Sequence, residues 1–330
     1  GIAGASTAYA VARRGIAVTV LEQAAAPAMA AAGNRQGLIY AKISPHPTEQ
    51  THLLLSGYGF SLRLLAHSLP QQTAWQSCGV LHLDHHPQEA HRNRLLAAQG
   101  HPLYHAVNAA EASTLAGIPL TEGGLFWPQG AWVHPPTWIA ALLDHPNIRL
   151  HQQCPVTALQ HHDAAWHVHC SNGQTFSGSH LVLCQGADSG RLPPLDDLSF
   201  RRIRGQTDVA TASPFSSRLN IALSGASYIS PAWQGQHCFG ASFVFAAVQS
   251  DLRSHECTDN WQGFAHFPPQ LAHSLPAPDF RQAQSIPRGH AALRCDSADH
   301  LPVVGALGDA TAMRRIYAKL ALDKHYRLTD

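Results

Sequence analysis

The chain has 330 residues and a formal net charge of +1. It is 45% hydrophobic and 13% charged, with 22 prolines and 25 glycines. This marks a globular chain of about two subdomains and excludes a disordered one, and so small a charge excludes a strong long-range field for polyanions. The seven cysteines are odd in number and form no C-x-x-C pair, no apolar run approaches a membrane span, and no charged segment precedes an apolar leader, so reduced thiols, a cytoplasmic location, no membrane anchor and no export are expected.

Gly1-Ile2-Ala3-Gly4 opens onto an alanine-rich helix over residues 6–14, with Gly15 as its stop and an apolar strand from Ile16 to Leu21 buried on both faces. Small residues let a helix N-terminus approach a pyrophosphate, whose charge the free amides and helix dipole stabilise. Glu22 follows at the strand's carboxyl end, where a ribose hydroxyl needs an acceptor; an acid there points to FAD or NAD rather than a 2′-phosphorylated dinucleotide. Gly1 and Gly4 match the second and third glycines of G-x-G-x-x-G, so the first glycine and its strand are expected upstream.

Gly33-Asn34-Arg35-Gln36-Gly37 is a polar loop of the kind that touches a cofactor or forms an ordinary turn. Residues 50–69 place Leu53, Leu54, Tyr58, Leu62, Leu65 and Leu69 at helical spacing before Pro70. A strand is expected over 77–83, a helix over 88–99, an aromatic Pro/Gly-punctuated connection over 124–136, and a helix over 137–143. Trp166–Cys170 and Gln174–Phe176 flank Asn172-Gly173, which predicts a hairpin with a type I′ turn. His180–Gly186 is expected as a buried strand ending in glycine. From 200 to 290, short apolar runs, among them 226–231 and 238–243, predict antiparallel strands of a second sheet. The 24 histidines include no H-E-x-x-H spacing, so no metal site is expected.

The order of Gly1 to Glu22, Gly124 to Pro136, Val182 to Ala187, Arg204-Gly205-Gln206, Tyr228 to Pro231, Gly240-Ala241-Ser242 and Arg294 to Gly305 resembles the D-amino acid and glycine oxidase superfamily. Within it, Gly33–Gly37, Pro128-Gln129-Gly130 and the run from Arg294 to Gly305 resemble one branch: the FAD-dependent oxidoreductase half of the bifunctional tRNA 5-methylaminomethyl-2-thiouridine biosynthesis proteins. The resemblance implies an α/β fold with a Rossmann-like FAD-binding domain of the glutathione-reductase-like, D-amino acid oxidase type and an interleaved antiparallel-sheet substrate domain. The expected division is 1–70, 137–195 and 291–330 for FAD, with 71–136 and 196–290 for substrate.

The implied activity is FAD-dependent amine oxidation, converting 5-carboxymethylaminomethyl-(2-thio)uridine of tRNA to 5-aminomethyl-(2-thio)uridine with release of glyoxylate. A methyltransferase domain in the same parent polypeptide and the flavin-closing segment after the region matching 301–330 are not in this sequence, so the flavin site is expected to be incomplete as given. The alternatives are a free glycine or D-amino acid oxidase and an inactive fragment. Implied cofactor contacts are Gly1, Gly4, Glu22, Asn34, Arg35, Gln36, Val156 and Gly186. Arg294 is expected to bind the substrate carboxylate through its planar fork, or else to form a salt bridge with Asp296 or Asp299. Tyr228 is expected as a phenol donor or a core aromatic. The clusters Arg201-Arg202-Arg204 and Arg314-Arg315 with Lys319 are ordinary solvated faces by spacing, so the tRNA partner rests on the resemblance.

Overall fold

The computed structural model describes residues 1–193, 195, 198–245, 248–264, 267–275, 289–308, 310–323 and 325–327. Its first helix, Ile2–Ala12, starts earlier than residue 6, with Gly1 as N-cap, and Gly15 adopts a left-handed φ of 82° just beyond the helix end. The chain then forms the strand Val18–Leu21, which pairs in parallel with Ile148–His151. The helices Ile2–Ala12, Glu49–Ser68 and Pro135–Leu143 pack around Ala5, Leu65, Trp138, Ile139 and Leu142. The first strand is not buried on both faces as expected: Thr19 is exposed, and Ile16 just before it is 55% exposed. Among the described residues it has one neighbouring strand, so its other edge is left without a sheet to bury it.

Three further expectations are corrected. His180–Gln185 is not a strand, Val182 is 60% exposed, and Gly186 instead begins the 3-10 helix Gly186–Arg191. Residues 124–136 are not merely a connection, because they fold into the strands Gly124–Trp127 and Ala131–Val133. The strand expected over 77–83 is shortened to Val80–Leu83, which joins the large sheet, and a separate strand before it, Trp75–Gln76, joins Ala131–Val133 and Gly37–Ile39. Gly79 makes the break at φ 84°.

The hairpin at Asn172-Gly173 forms, but only Gly173 takes a positive φ. Its amide bonds the Cys170 carbonyl, and the Cys170 amide bonds the Gln174 carbonyl. Both central residues take a positive φ instead in the two-residue loops Asp163-Ala164, joining Val156–His162 to Ala165–Cys170, and Gln234-Gly235, between the bridged Trp233 and Gln236.

The large sheet has nine strands among the described residues and confirms the antiparallel pairing expected of Tyr228–Ile229 with Gln236–Gly240. Its long strand Arg201–Thr211 is flanked on one side by Gln236–Gly240 and Val244–Phe245, and on the other by His290–Asp296. Alternation then sorts side chains by face. Arg204, Gln206 and Asp208 point to one face and meet the helix Ser254–Phe264. Ile203, Gly205 and Thr207 belong to the other. Because Phe245, Ile203 and Arg294 stand on one rung, and Tyr228, Gly240, Thr207 and His290 on another, all seven share that second face.

Candidate active site

The loop Gly33–Gly37 crosses the second face of the large sheet and is clamped from three directions. Gln36, fully buried, donates from Nε2 to the Pro231 carbonyl at 3.0 Å, and its own carbonyl accepts from the Tyr228 hydroxyl at 3.4 Å. Arg35 donates to the Trp233 carbonyl at 2.8 Å and lies 4.8 Å above the Trp233 ring. His290 bonds the Ala30 carbonyl at 2.8 Å and presses on Gly33, where a Cβ would meet His290 Cε1 at 2.5 Å and the Ala28 carbonyl oxygen at 2.6 Å. Burial lowers the pKa of Arg35, and burial together with the Arg35 charge lowers that of His134.

Arg294 emerges from the strand His290–Asp296 with its guanidinium 4.6 Å from the Phe243 ring centroid. Gly205 opens the space beneath: a Cβ there would stand 3.5 Å from an Arg294 guanidinium nitrogen. Neither Asp296 nor Asp299 takes this guanidinium. Asp296 pairs with Arg201 and His300, while Asp299 accepts from Ser297 and the Leu301 amide. Desolvation lowers the Arg294 pKa, opposed chiefly by the charge of Asp296. Burial pushes the Tyr228 phenol well above its usual range, with Arg294 pulling it down.

A second group gathers at the parallel pair. A Cβ on Gly4 would stand 3.4 Å from Cys184 Cβ, which sets the first helix against the segment leading to Gly186. Gln23 bonds Asp188 of the Gly186–Arg191 turn at 3.2 Å. The Glu22 amide and carbonyl are spent on His151 and Cys154, and its Oε1 accepts from the Ala24 amide. Val156, two residues beyond Cys154, begins a strand and pairs with Cys170. Gly186 has a φ of 56°. Arg202, on the strand Arg201–Thr211, bonds the Ala187 carbonyl at 2.9 Å and so ties this second group to the large sheet.

These residues suit a polar dinucleotide. The first helix has no side-chain cap and no acid in its first turn, so its N-terminal dipole is uncompensated at Gly1. Asn34 Oδ1, Arg35 Nε, Gln36 Oε1 and Gln185 Oε1 are buried without a hydrogen-bond partner among the described residues, a costly arrangement unless a bound group satisfies them.

Gln185, Phe243, Phe245 and Trp233 are not among the residues singled out from sequence. Gln185 adjoins the glycine that was singled out, but the aromatic residues carry no local signal beyond apolar alternation. The expected cluster Arg201-Arg202-Arg204 is divided, because alternation separates Arg201 from the other two and each of the three finds a different partner. Arg204 is fully buried against Glu256, Arg202 bonds Asp188, and Arg201 pairs with Asp296. A cavity of about 280 Å³ between His85, Glu122, Gly225 and Phe267 contains none of the expected site residues. Among the described residues, no three His, Cys, Asp or Glu are placed to hold a metal, and no helix is long and apolar enough to cross a membrane. None of the seven cysteines is in a disulfide.

The chain is similar to the tRNA 5-methylaminomethyl-2-thiouridine biosynthesis bifunctional protein of Chromobacterium violaceum, with 40% identity over 331 residues, covering 99% of this chain and 50% of that protein. The protein of the same name from Pseudomonas putida is 38% identical over 324 residues, covering 98% of this chain and 49% of the relative. The chain thus spans about half the length of the curated relatives it matches. Among solved structures, glycine oxidase from Geobacillus kaustophilus superposes with a TM-score of 0.77 at 18% identity, covering 94% of this chain and 84% of that one. Iminodiacetate oxidase from Chelativorans sp. BNC1 superposes with a TM-score of 0.74 at 18% identity, covering 93% and 85%. These likenesses show a shared fold, with the expected α/β architecture of a flavin-binding oxidase. Because the FAD dependent oxidoreductase family also matches residues 1–322, nearly the whole length on which the two residue groups are built, the chain belongs to that family, whose cofactor is FAD.

Proposed function

We propose that this chain oxidises the 5-carboxymethylaminomethyl group of a tRNA wobble uridine, with or without a 2-thio group, to an aminomethyl group with release of glyoxylate. The observation that carries this reading is Arg294, a guanidinium on the site face with no carboxylate within salt-bridge distance among the described residues, held over Phe243 on the same sheet face as Tyr228. The names of the relatives supply the nucleoside.

Bound FAD supplies the two-electron oxidising capacity. Gly1 and Gly4 are assigned to the approach of the helix amides to pyrophosphate, and Glu22 to a ribose hydroxyl. Asn34, Arg35 and Gln36 would use their buried, unpartnered polar atoms to hold the cofactor. Gly186 and Val156 are assigned to the wall of the same pocket. Arg294 binds the substrate carboxylate through two parallel N–H groups, which orients the adjacent methylene. Tyr228 stays protonated at neutral pH, because burial pushes its pKa up, and serves as a hydrogen-bond donor. The methylene between carboxylate and nitrogen is oxidised to an imine, and water cleaves that imine to the amine and glyoxylate.

The parallel pair Val18–Leu21 and Ile148–His151 supports assigning segments 1–70 and 137–195 to the cofactor, and the large sheet supports assigning 71–136 and 196–290 to substrate. Residues 291–330 are placed with the cofactor segments, although His290–Asp296 hydrogen-bonds into the large sheet and forms a seam between the two. A tRNA partner, a methyltransferase domain in the parent polypeptide and a cytoplasmic location belong to the same reading.

Protein loaded with FAD and mixed with tRNA bearing the carboxymethylaminomethyl group is expected to release glyoxylate in step with loss of that group, followed by nucleoside mass spectrometry. Peroxide formation from glycine or sarcosine, indifferent to tRNA and with no glyoxylate from it, would replace this reading with that of a free amino acid oxidase.

A further inference from the structure

Beside Arg294 the site face carries two aromatic rings that the oxidation itself does not require. Phe243 and Phe245 are 54% and 60% exposed, and their ring centroids stand 5.3 Å apart at an interplanar angle of 72°. Both belong to the short run that ends in the strand Val244–Phe245, and two-residue spacing puts their side chains on the same side. Phe245 shares a rung with Ile203 and Arg294, so the ring and the guanidinium rise from one face across three adjacent strands. The floor beneath them, Ile203, is 4% exposed. The result is a dry base with an exposed aromatic ledge and a cation at one end.

Two exposed phenylalanines together are costly in water unless something covers them. The cation restricts what that is. Its guanidinium lies over Phe243 and has no carboxylate of the chain within salt-bridge distance among the described residues, so the complementary occupant carries an anion. An anion joined by a short arm to a flat, uncharged ring would satisfy both ends of the ledge. A small amino acid would satisfy only the guanidinium.

We propose that Phe243 and Phe245 form a base-stacking subsite, on which the pyrimidine ring of a nucleoside rests while its carboxylate-tipped arm reaches Arg294. This rests on the reading of a carboxymethylaminomethyl uridine substrate and deepens it, because it assigns recognition of the base to this chain's own sheet edge. Base–aromatic stacking does not read base identity by hydrogen bonds, so the ledge supplies affinity and orientation, and selectivity comes from the arm.

The test is calorimetric binding to the FAD-loaded protein, kept anaerobic and reduced with dithionite so that the probe is not consumed. The probes are 5-carboxymethylaminomethyluridine and N-ethylglycine, which is the same arm with a methyl group in place of the base. The unsubstituted protein is expected to bind the nucleoside more tightly, and Phe245→Ala to weaken nucleoside binding by about tenfold. Binding of N-ethylglycine should stay within roughly twofold of the unsubstituted value on that scale, and Phe245→Trp should restore nucleoside affinity where Phe245→Leu does not. Nucleoside binding untouched by Phe245→Ala and Phe243→Ala, or equal weakening of both probes, overturns the subsite while leaving the substrate reading standing; the first result would give the ledge to a protein partner. If the unsubstituted protein binds the nucleoside no better than N-ethylglycine, or binds neither, both the subsite and the substrate reading fall.

Discussion

At the scale of single residues, the site turns on what Arg294 does not touch. Its neighbour two positions on, Asp296, is drawn away by Arg201 at 3.7 Å and His300 at 2.9 Å, and the Phe243 ring supports the guanidinium from one side. A lysine there would keep the charge but lose the planar fork and much of the ring contact. Arg294→Lys is therefore expected to raise KM for the carboxylate-bearing substrate by roughly tenfold or more, while flavin retention on a desalting column stays unchanged. A loss of flavin in step with the loss of activity would show that Arg294 acts in folding instead. Arg294 and Tyr228 could be singled out as candidates in the sequence because their flanking motifs are distinctive. Phe243 was not, since a phenylalanine in an alternating run carries no sign of which partner its ring will face.

At the scale of elements, the strand Arg201–Thr211 carries the site on one face and a buried ionic network on the other. Arg204 donates to Glu256 at 2.6 Å, to the Gln249 and Asp251 carbonyls, and to Gln206. Ser242 donates to the second Glu256 oxygen, and Asn260 bridges the Gln206 carbonyl and Asp208. Burial opposes ionisation of Glu256, but hydrogen bonds from Ser242 and Arg204 and the charge of Arg204 hold its pKa below the usual carboxylate range. This network fastens the helix Ser254–Phe264 to the sheet and fixes Ser242, the residue before Phe243. Removing one partner leaves a buried charge uncompensated, so Glu256→Ala is expected to cost about 3–5 kcal/mol in urea unfolding. Arg204→Met combined with Glu256→Ala should cost less than Glu256→Ala alone; a double variant at least as unstable would refute the account. From spacing, Arg201, Arg202 and Arg204 form one basic cluster. The strand sends Arg204 into the core, and a face for RNA cannot be built from a fully buried guanidinium.

At the scale of the whole molecule, acid acts on buried groups that hold the fold together. His82, 2% exposed, bonds Glu89 at 2.8 Å, yet burial pushes its pKa down to about 4, against the opposing pull of that carboxylate. The unfolded chain takes up a proton near the ordinary histidine value, whereas the folded chain resists it. Stability is therefore complete above about pH 6.5 and falls as the pH drops toward 4. The slope approaches about 1.4 kcal/mol per pH unit for this one group. Glu256 and Glu89, whose pKa values are both lowered, extend the loss through the carboxylate range below. Urea unfolding between pH 7.5 and 5 should show this decline, and His82→Gln should flatten it; an unchanged slope in the variant would mean that another group titrates.

What the sequence determined by itself was local: a helix before Gly15 though not its start, the turn at Gly15, the acid at Glu22, the helix over 50–69 and the family motifs. These follow from side-chain periodicity, backbone freedom at glycine and residues close in the chain. Only the tertiary structure decided which faces those elements present. Alternation fixes relative sides within one strand, but pairing register decides that Phe245, Ile203 and Arg294 share a rung, and that a loop from residues 33–37 lies over Tyr228. Such contacts join segments some 200 residues apart, and their free energy depends on burial and long-range hydrogen bonding that no local window of sequence contains.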